Sequence, residues 1–189
     1  MDTKRVYLAG CLFDLRHLSG NALLGDGINR CSGGRYSLYL PQDYEAESMD
    51  AKAIRDGDFQ GLLDCDAAIF QYDGTELDSG TVVEFMAAKF ADIPSVLLRT
   101  DFRKGGDRND DPWNLMCSFY PRTVSLVVDS MKMYVESGYG EGQGVKASSD
   151  AIGRLSELVV QKLDEVLSKP PVVEPRVERR VELETLLGM

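Results

Sequence analysis

Residues 66–98 read DAAIFQYDGTELDSGTVVEFMAAKFADIPSVLL. The run from Asp66 to Tyr72 has strand length and stops at Asp73-Gly74, a turn pair. Ser79 to Ala91 then carries Val83, Met86, Ala87 and Phe90 at helical intervals, which predicts a helix with those residues on one apolar face. Pro94 to Leu98 is another apolar run of strand length. Strand, helix and strand in immediate succession make a crossover unit, and such units build parallel sheets covered on both faces.

Working outward, the same alternation continues. Toward the N-terminus, Arg5 to Gly10 (RVYLAG) and Tyr36 to Leu40 read as strands, the second stopped by Pro41. Between them lies a polar, glycine-containing stretch, read as a loop plus a helix of open limits. Ala46 to Leu63 is helical in pattern but interrupted by Gly57. Toward the C-terminus come a charged loop, Asp101 to Asp111, a short helix, Pro112 to Phe119, and a strand, Val124 to Val128. Ser148 to Lys169 is a helix with Ile152, Leu155, Leu158, Val159, Leu163, Val166 and Leu167 as its stripe. The expected fold is therefore α/β: a single-domain, Rossmann/flavodoxin-like, mostly parallel five-stranded sheet flanked by helices, over residues 1–169. Residues 170–189 read as a proline-containing linker and a tail whose Val177, Val181, Leu183 and Leu187 recur at helical spacing. That tail either docks on a partner subunit or stays mobile.

The chain has 189 residues and a formal net charge of −10. A strongly acidic chain is a poor fit to nucleic acid or an anionic membrane surface, because both are gripped by Lys and Arg. The four cysteines form no CxxC pair, and a single histidine is present, so a Cys/His zinc site is not expected. His17 is read as structural. No apolar run is long enough to span a bilayer, and the N-terminus runs straight into a strand; the expected compartment is the cytoplasm. The GYGEGQG stretch at 138–144 lacks the Lys-Ser/Thr of a phosphate loop and reads as a connector.

In parallel α/β sheets, ligands sit beyond the carboxyl ends of the strands. That directs attention to Cys11 to Asp14, Asp73 to Gly80 and Thr100 to Asn114. The segment 66–84 gathers Asp66, Asp73, Glu76, Asp78 and Glu84. Carboxylates crowded in one cleft push their pKa values apart, so that one stays ionised while another holds a proton. Glycosyl transfer with retention needs that division: one carboxylate to attack the anomeric carbon, one acid to protonate the leaving group. Glu84 is expected in the first turn of its helix, where the dipole favours its ionised form. Asp66, opening its strand, is expected to be partly buried and to handle the proton. The plainer reading stays open on the residues alone: Thr81-Val82-Val83-Glu84 is also a capping box, with Glu84 merely closing a helix end.

The segment DSGTVVEFMAAKFADIP closely resembles the D-x-G-T-x-x-E segment of the nucleoside 2-deoxyribosyltransferase family. Three more segments match in order: VYLAG followed by Leu12-Phe13, CDAAIFQYDG and DPWNLM. Together they span roughly residues 4 to 130. A lone GTxxE also occurs in the cytokinin-riboside phosphohydrolase type of Rossmann protein, but there it follows a double glycine, and here Leu77-Asp78-Ser79 precedes it. Two departures stand out. Cys11 occupies a position where many members have proline, and the chain ends Leu186-Leu187-Gly188-Met189, so no C-terminal role in a neighbour's site is assigned.

The resemblance implies a two-step exchange in which Glu84 attacks C1′ of a 2′-deoxynucleoside, the base leaves, and a free nucleobase takes the sugar from the glycosyl-enzyme. By position, Asp66 matches the aspartate that helps protonate the base, and Tyr7 a residue that orients the nucleophile. Asp78, with Gly80 beside it, matches the group that bonds the 5′-hydroxyl. Gln42 resembles the base-contacting position, and Phe13 lies in the substrate loop. Asn114 and Met116 match residues lent to a neighbouring subunit, which implies a homo-oligomer, dimer to hexamer, with shared sites. No metal or organic cofactor is implied. Two alternatives remain: an N-glycosidase that uses water on deoxynucleosides or their 5′-monophosphates, and a non-catalytic nucleoside sensor. A carboxylate at Asp78 favours a neutral 5′-hydroxyl over a phosphate, unless Arg99 and Arg103 reverse the local charge.

Overall fold

The computed structural model describes residues 2–44, 50–106, 112–140, 142–173 and 176–189, the side chains of 176 and 177 excepted. Five strands, β1 (Lys4–Ala9), β2 (Tyr36–Tyr39), β3 (Ala67–Gln71), β4 (Ser95–Arg99) and β5 (Thr123–Val127), form one sheet in the order β2-β1-β3-β4-β5. Every pairing is parallel. This is the flavodoxin-like order, whose reversal point falls between β1 and β3. The sheet is wholly parallel, where the sequence had indicated mostly parallel.

Alternation along the strands sorts side chains onto two faces. Val6, Leu8, Ala67, Ile69, Val96 and Leu98 join one core, packed under α1 (Leu15–Cys31) and α5 (Gly144–Leu167). Tyr7, Ala9, Ala68, Phe70, Tyr72 and Leu97 join the other, under α2 (Ala51–Leu63), α3 (Ser79–Phe90) and α6 (Arg176–Leu187). Tyr7 and the helix that bears Glu84 therefore share one face. A further short helix, α4 (Ser130–Glu136), follows β5.

Several sequence boundaries are corrected. The polar stretch after β1 is a single helix from Leu15, capped by Asp14, whose carboxylate accepts from the backbone N–H groups of Arg16 and His17. Its glycines are packing sites: a Cβ on Gly27 would lie 2.2 Å from Ser156 Oγ of α5. Helix α2 runs unbroken through Gly57; its predicted start at Ala46 lies outside the described residues. The predicted helix at 112–119 is only a 3-10 turn, Leu115–Cys117, with Asn114 as its cap. On α3, the core face is Thr81, Phe85 and Ala88 with Ala87, whereas Val83, Met86 and Phe90 are exposed. The helix carries two apolar stripes, and its position over β3 decides which is covered.

The tail packs on its own chain. Leu183 is 7% exposed within the core that holds Phe59 of α2 and Phe85 of α3. Arg180 pairs with Asp64 at 2.7 Å and donates to Leu63 O at the end of α2. The linker is held too, since Val172 N donates to Asp92 Oδ2, which also receives Arg122 at 2.9 Å.

Candidate active site

The site lies on the α2/α3 face of the sheet and is centred on Glu84. Tyr7 projects from β1, and its hydroxyl donates to Glu84 Oε1 at 2.7 Å. Glu84 is the sixth residue of α3, in its second turn. The cap is Asp78, whose Oδ2 accepts from Thr81 N at 2.8 Å and Thr81 Oγ1 at 2.9 Å. The capping-box reading of Glu84 is thereby removed: Asp78 and Thr81 close the helix without it. A side chain at Gly80 would press on this cap, because a Cβ there meets Asp78 Oδ2 at 3.2 Å.

Glu84 departs from the expectation that the helix dipole keeps it charged. Burial pushes its pKa from 4.5 up to about 7; the Tyr7 hydrogen bond pulls down, while Asp58 and Asp78 push up. One turn into the helix the dipole has faded, and desolvation governs. Tyr7 is raised far above its ordinary range by burial and by the charges of Glu84 and Asp58, so it remains a neutral donor.

Asp58 is the residue that sequence reasoning missed. It sits on α2, next to Phe59 of the core, and its charge acts on Glu84, Tyr7 and Tyr39. Its one sequence signal is an acid bordering the buried stripe Phe59, Leu62 and Leu63. Asp66, the residue expected to handle the proton, is elsewhere. It precedes β3 at the amino edge of the sheet, accepts from Arg5 N at 2.8 Å, faces Lys4 at 3.6 Å, and is half-buried as expected, with its side chain 42% exposed. The first residue of a parallel strand lies at the end remote from the loops that follow the strands; the geometry makes Asp66 a clasp between β1 and β3.

The other predicted residues are distributed as follows. Asp78 is close enough to act on both Glu84 and the thiol of Cys11. That thiol is pushed up by burial first and then by Asp78, Asp14 and Asp73, so the loop region after β1 carries a negative field. Neither Arg99 nor Arg103 is among the groups that act on the thiol. Arg99 is buried and donates to the carbonyls of Tyr72, Gly74 and Arg103, and Arg103 is paired with Asp101. Phe13 is 79% exposed in the β1 loop. The Gln42 amide is held by α1, donating to Leu18 O at 3.0 Å and accepting from Asn21 at 3.3 Å. Asn114 caps its turn by accepting from Met116 N. With Met116 it lines a cavity of about 490 Å³ against Gly74 to Leu77, Arg99 and Trp113. The structure thus bonds Tyr7 to Glu84 and sets Asp78 and Asp58 where their charges act on it; it leaves Asp66 at the other end of the sheet, and Asn114 and Met116 at a cavity that Glu84 does not line.

A wholly parallel sheet of this order, with Tyr7 of its β1 bonded to Glu84 of α3, defines a flavodoxin-like α/β protein whose candidate site lies on one face. Residues 6–116, more than half of the chain, match the family model for nucleoside 2-deoxyribosyltransferase, and the chain belongs to that family. Among solved structures it is similar to a conserved protein of Enterococcus faecalis V583 (22% identity, TM-score 0.50, covering 98% of this chain and 99% of that one). It is also similar to a 2-deoxyribosyltransferase from Leishmania mexicana (24% identity, TM-score 0.51, 72% and 99%). A third likeness is to the Bacillus psychrosaccharolyticus 2-deoxyribosyltransferase (15% identity, TM-score 0.48, 60% and 79%). No functionally curated protein matches.

Proposed function

We propose that this chain transfers the 2-deoxyribosyl group between nucleobases through a covalent intermediate on Glu84. The observation that carries the proposal is the Tyr7–Glu84 hydrogen bond at 2.7 Å, on a carboxyl whose pKa lies about 7. Tyr7 occupies Oε1 and fixes the carboxylate, leaving Oε2 to attack C1′. In the reactive form of the pair the shared proton has passed from Glu84 to Asp58; as the C1′–O bond forms, the C1′–N bond breaks and its electron pair passes to the base nitrogen, which takes that proton. An incoming base then attacks C1′, the Glu84–C1′ bond breaks, and the proton displaced from the new base returns to Asp58. Asp58 replaces Asp66 in this role because its charge reaches Glu84. A carboxyl pair that shares one proton supplies base and acid at once.

Asp78 directs its remaining oxygen to the sugar 5′-hydroxyl. The carboxylates of Asp78, Asp14 and Asp73 around Cys11 oppose a 5′-phosphate, which favours nucleosides over nucleotides. Asn114 and Met116 serve the site of a neighbouring subunit in a homo-oligomer, and the reaction belongs to cytoplasmic base salvage. The test is direct: incubate the protein with deoxyinosine or thymidine, with and without adenine, and follow products by chromatography. Formation of deoxyadenosine is expected. Base release that ignores adenine identifies a hydrolase instead, and binding without turnover a sensor. Faster turnover of 5′-monophosphates than of nucleosides overturns the role of Asp78.

A further inference from the structure

The two acids proposed to share a proton stand on different helices, Asp58 on α2 and Glu84 on α3, and α6 contacts both. Leu183 is buried in the same core as Phe59, the neighbour of Asp58, and Phe85, the neighbour of Glu84. On the α2 side, Arg180 holds Asp64 at 2.7 Å and Leu63 O at 3.3 Å. Lys52 donates to Gly188 O and Arg55 to Leu187 O, both at 3.0 Å. On the α3 side, Arg179 lies over the Phe90 ring, 5.4 Å from its centroid. Leu187 joins Leu183, Val83 and Ala87 along one groove wall.

We propose that Leu183 and Arg180 are positioning residues: α6 is a wedge that fixes the spacing of Asp58 and Glu84 and thereby the proton balance of the pair. The inference rests on the reading of those two residues as acid and nucleophile. Three groups act on Glu84 from the elements around it: Tyr7 from β1, Asp58 from α2 and Asp78 from the start of α3 itself. Only Asp58 is moved by a shift of α2 against α3, since Asp78 travels with Glu84 and Tyr7 is fixed in the sheet. Loosening the wedge separates Asp58 from Glu84 and admits water, and both changes lower the Glu84 pKa.

The test uses full-length Leu183→Ala and Arg180→Ala proteins, with Leu183→Met as the conservative control. The Glu84 carboxyl is titrated by carbon NMR, and the pH profile of kcat/KM is measured beside it. Leu183→Ala and Arg180→Ala are expected to move the Glu84 midpoint down from about 7, with the acid limb of the profile following. A fall in kcat of roughly tenfold at little cost in KM is expected with it. Leu183→Met restores both. Arg180→Ala is the sharper arm, because loss of its positive charge alone would move the midpoint up. A midpoint that rises or stays unchanged in folded Arg180→Ala protein, with only a lower melting temperature, overturns the proposal. The NMR arm needs no turnover: a chain without transferase activity whose Glu84 still shifts as expected retains the wedge and loses only the deoxyribosyl reading.

Discussion

At the residue scale, Glu84 is held in conflict. The proposed transfer needs its anion, and its surroundings resist that anion. Its folded pKa of about 7 lies above the ordinary 4.5, so the folded state binds the extra proton between those values. Stability therefore falls as pH rises from about 4.5 to about 7, and the cost is complete above that window. Glu84→Gln keeps an acceptor for Tyr7 and removes the charge. It is expected to raise unfolding free energy by about 1–3 kcal/mol at pH 8 and by little at pH 4, measured by urea denaturation, while transfer falls roughly a thousandfold or more. Tyr7→Phe removes the bond that lowers the Glu84 pKa. The acid limb of kcat/KM then moves above its wild-type position, with activity down about 10- to 100-fold, as for loss of a hydrogen bond to a charged group. Asp58 and Asp66 make a matched pair. Asp58→Asn is expected to lower kcat sharply and to shift the acid limb to lower pH, because one charge that raises Glu84 is gone. Asp66→Asn leaves kcat within a few-fold and reduces only stability, because it loses the clasp to Lys4 and weakens that to Arg5 N. Equal losses in both variants would return the proton to Asp66.

At the element scale, strands and helix α5 were legible because their signals are local. The run AAIFQ is apolar on both sides of the pleat, as a doubly covered strand must be, and the α5 stripe survives in Val159, Leu163 and Val166. Helices α1 and α3 were read less well for a tertiary reason. Glycines in α1 look like loop residues until Ser156 of α5 is seen against Gly27. Val83, Met86 and Phe90 satisfy helical spacing as well as Thr81, Phe85 and Ala88 do, and only the neighbour decides. Asp58 was hidden likewise, since nothing in sequence shows that α2 leans over Tyr7. The packing of α2 makes its own prediction. A Cβ at Gly61 would meet the Tyr39 ring at 2.6 Å, and that ring is stacked between Tyr7 and Tyr44 at centroid distances of 5.6 and 4.2 Å. Gly61→Ala is expected to destabilise the fold by about 1–3 kcal/mol through overpacking. It also displaces the tyrosine column, so near-ultraviolet circular dichroism changes and kcat falls. Helix propensity alone would predict stabilisation, and the sign of the melting shift separates the two.

At the scale of the whole molecule, several large apolar side chains stand uncovered on the segments that follow β1 and β4. Phe13 and Leu15 are 79% and 77% exposed on the β1 loop and the start of α1, and Met116 is 69% exposed on its 3-10 turn. Such side chains mark an interaction surface where they form one contiguous patch. No helix among the described residues is long and apolar enough to cross a membrane. Met116, whose backbone N–H donates to the capping Asn114, projects into solvent, and in its own chain it borders a cavity that Glu84 does not line. In the proposed homo-oligomer it serves the carboxyl group of a second copy. The wild-type protein is therefore expected to run above its 20.9 kDa chain mass in light scattering. Met116→Asp places a charge where an apolar contact is needed and shifts the mass toward the monomer, with transfer activity falling in step. Because Met116 is exposed in the single chain, the variant keeps its melting temperature at dilutions where the wild type also dissociates. A monomeric wild-type protein with full activity would show that each chain completes its own site. An oligomeric Met116→Asp protein that retains full activity would instead move the interface to another face, with the Val83, Met86 and Phe90 stripe of α3 the next to be tested by the same substitution.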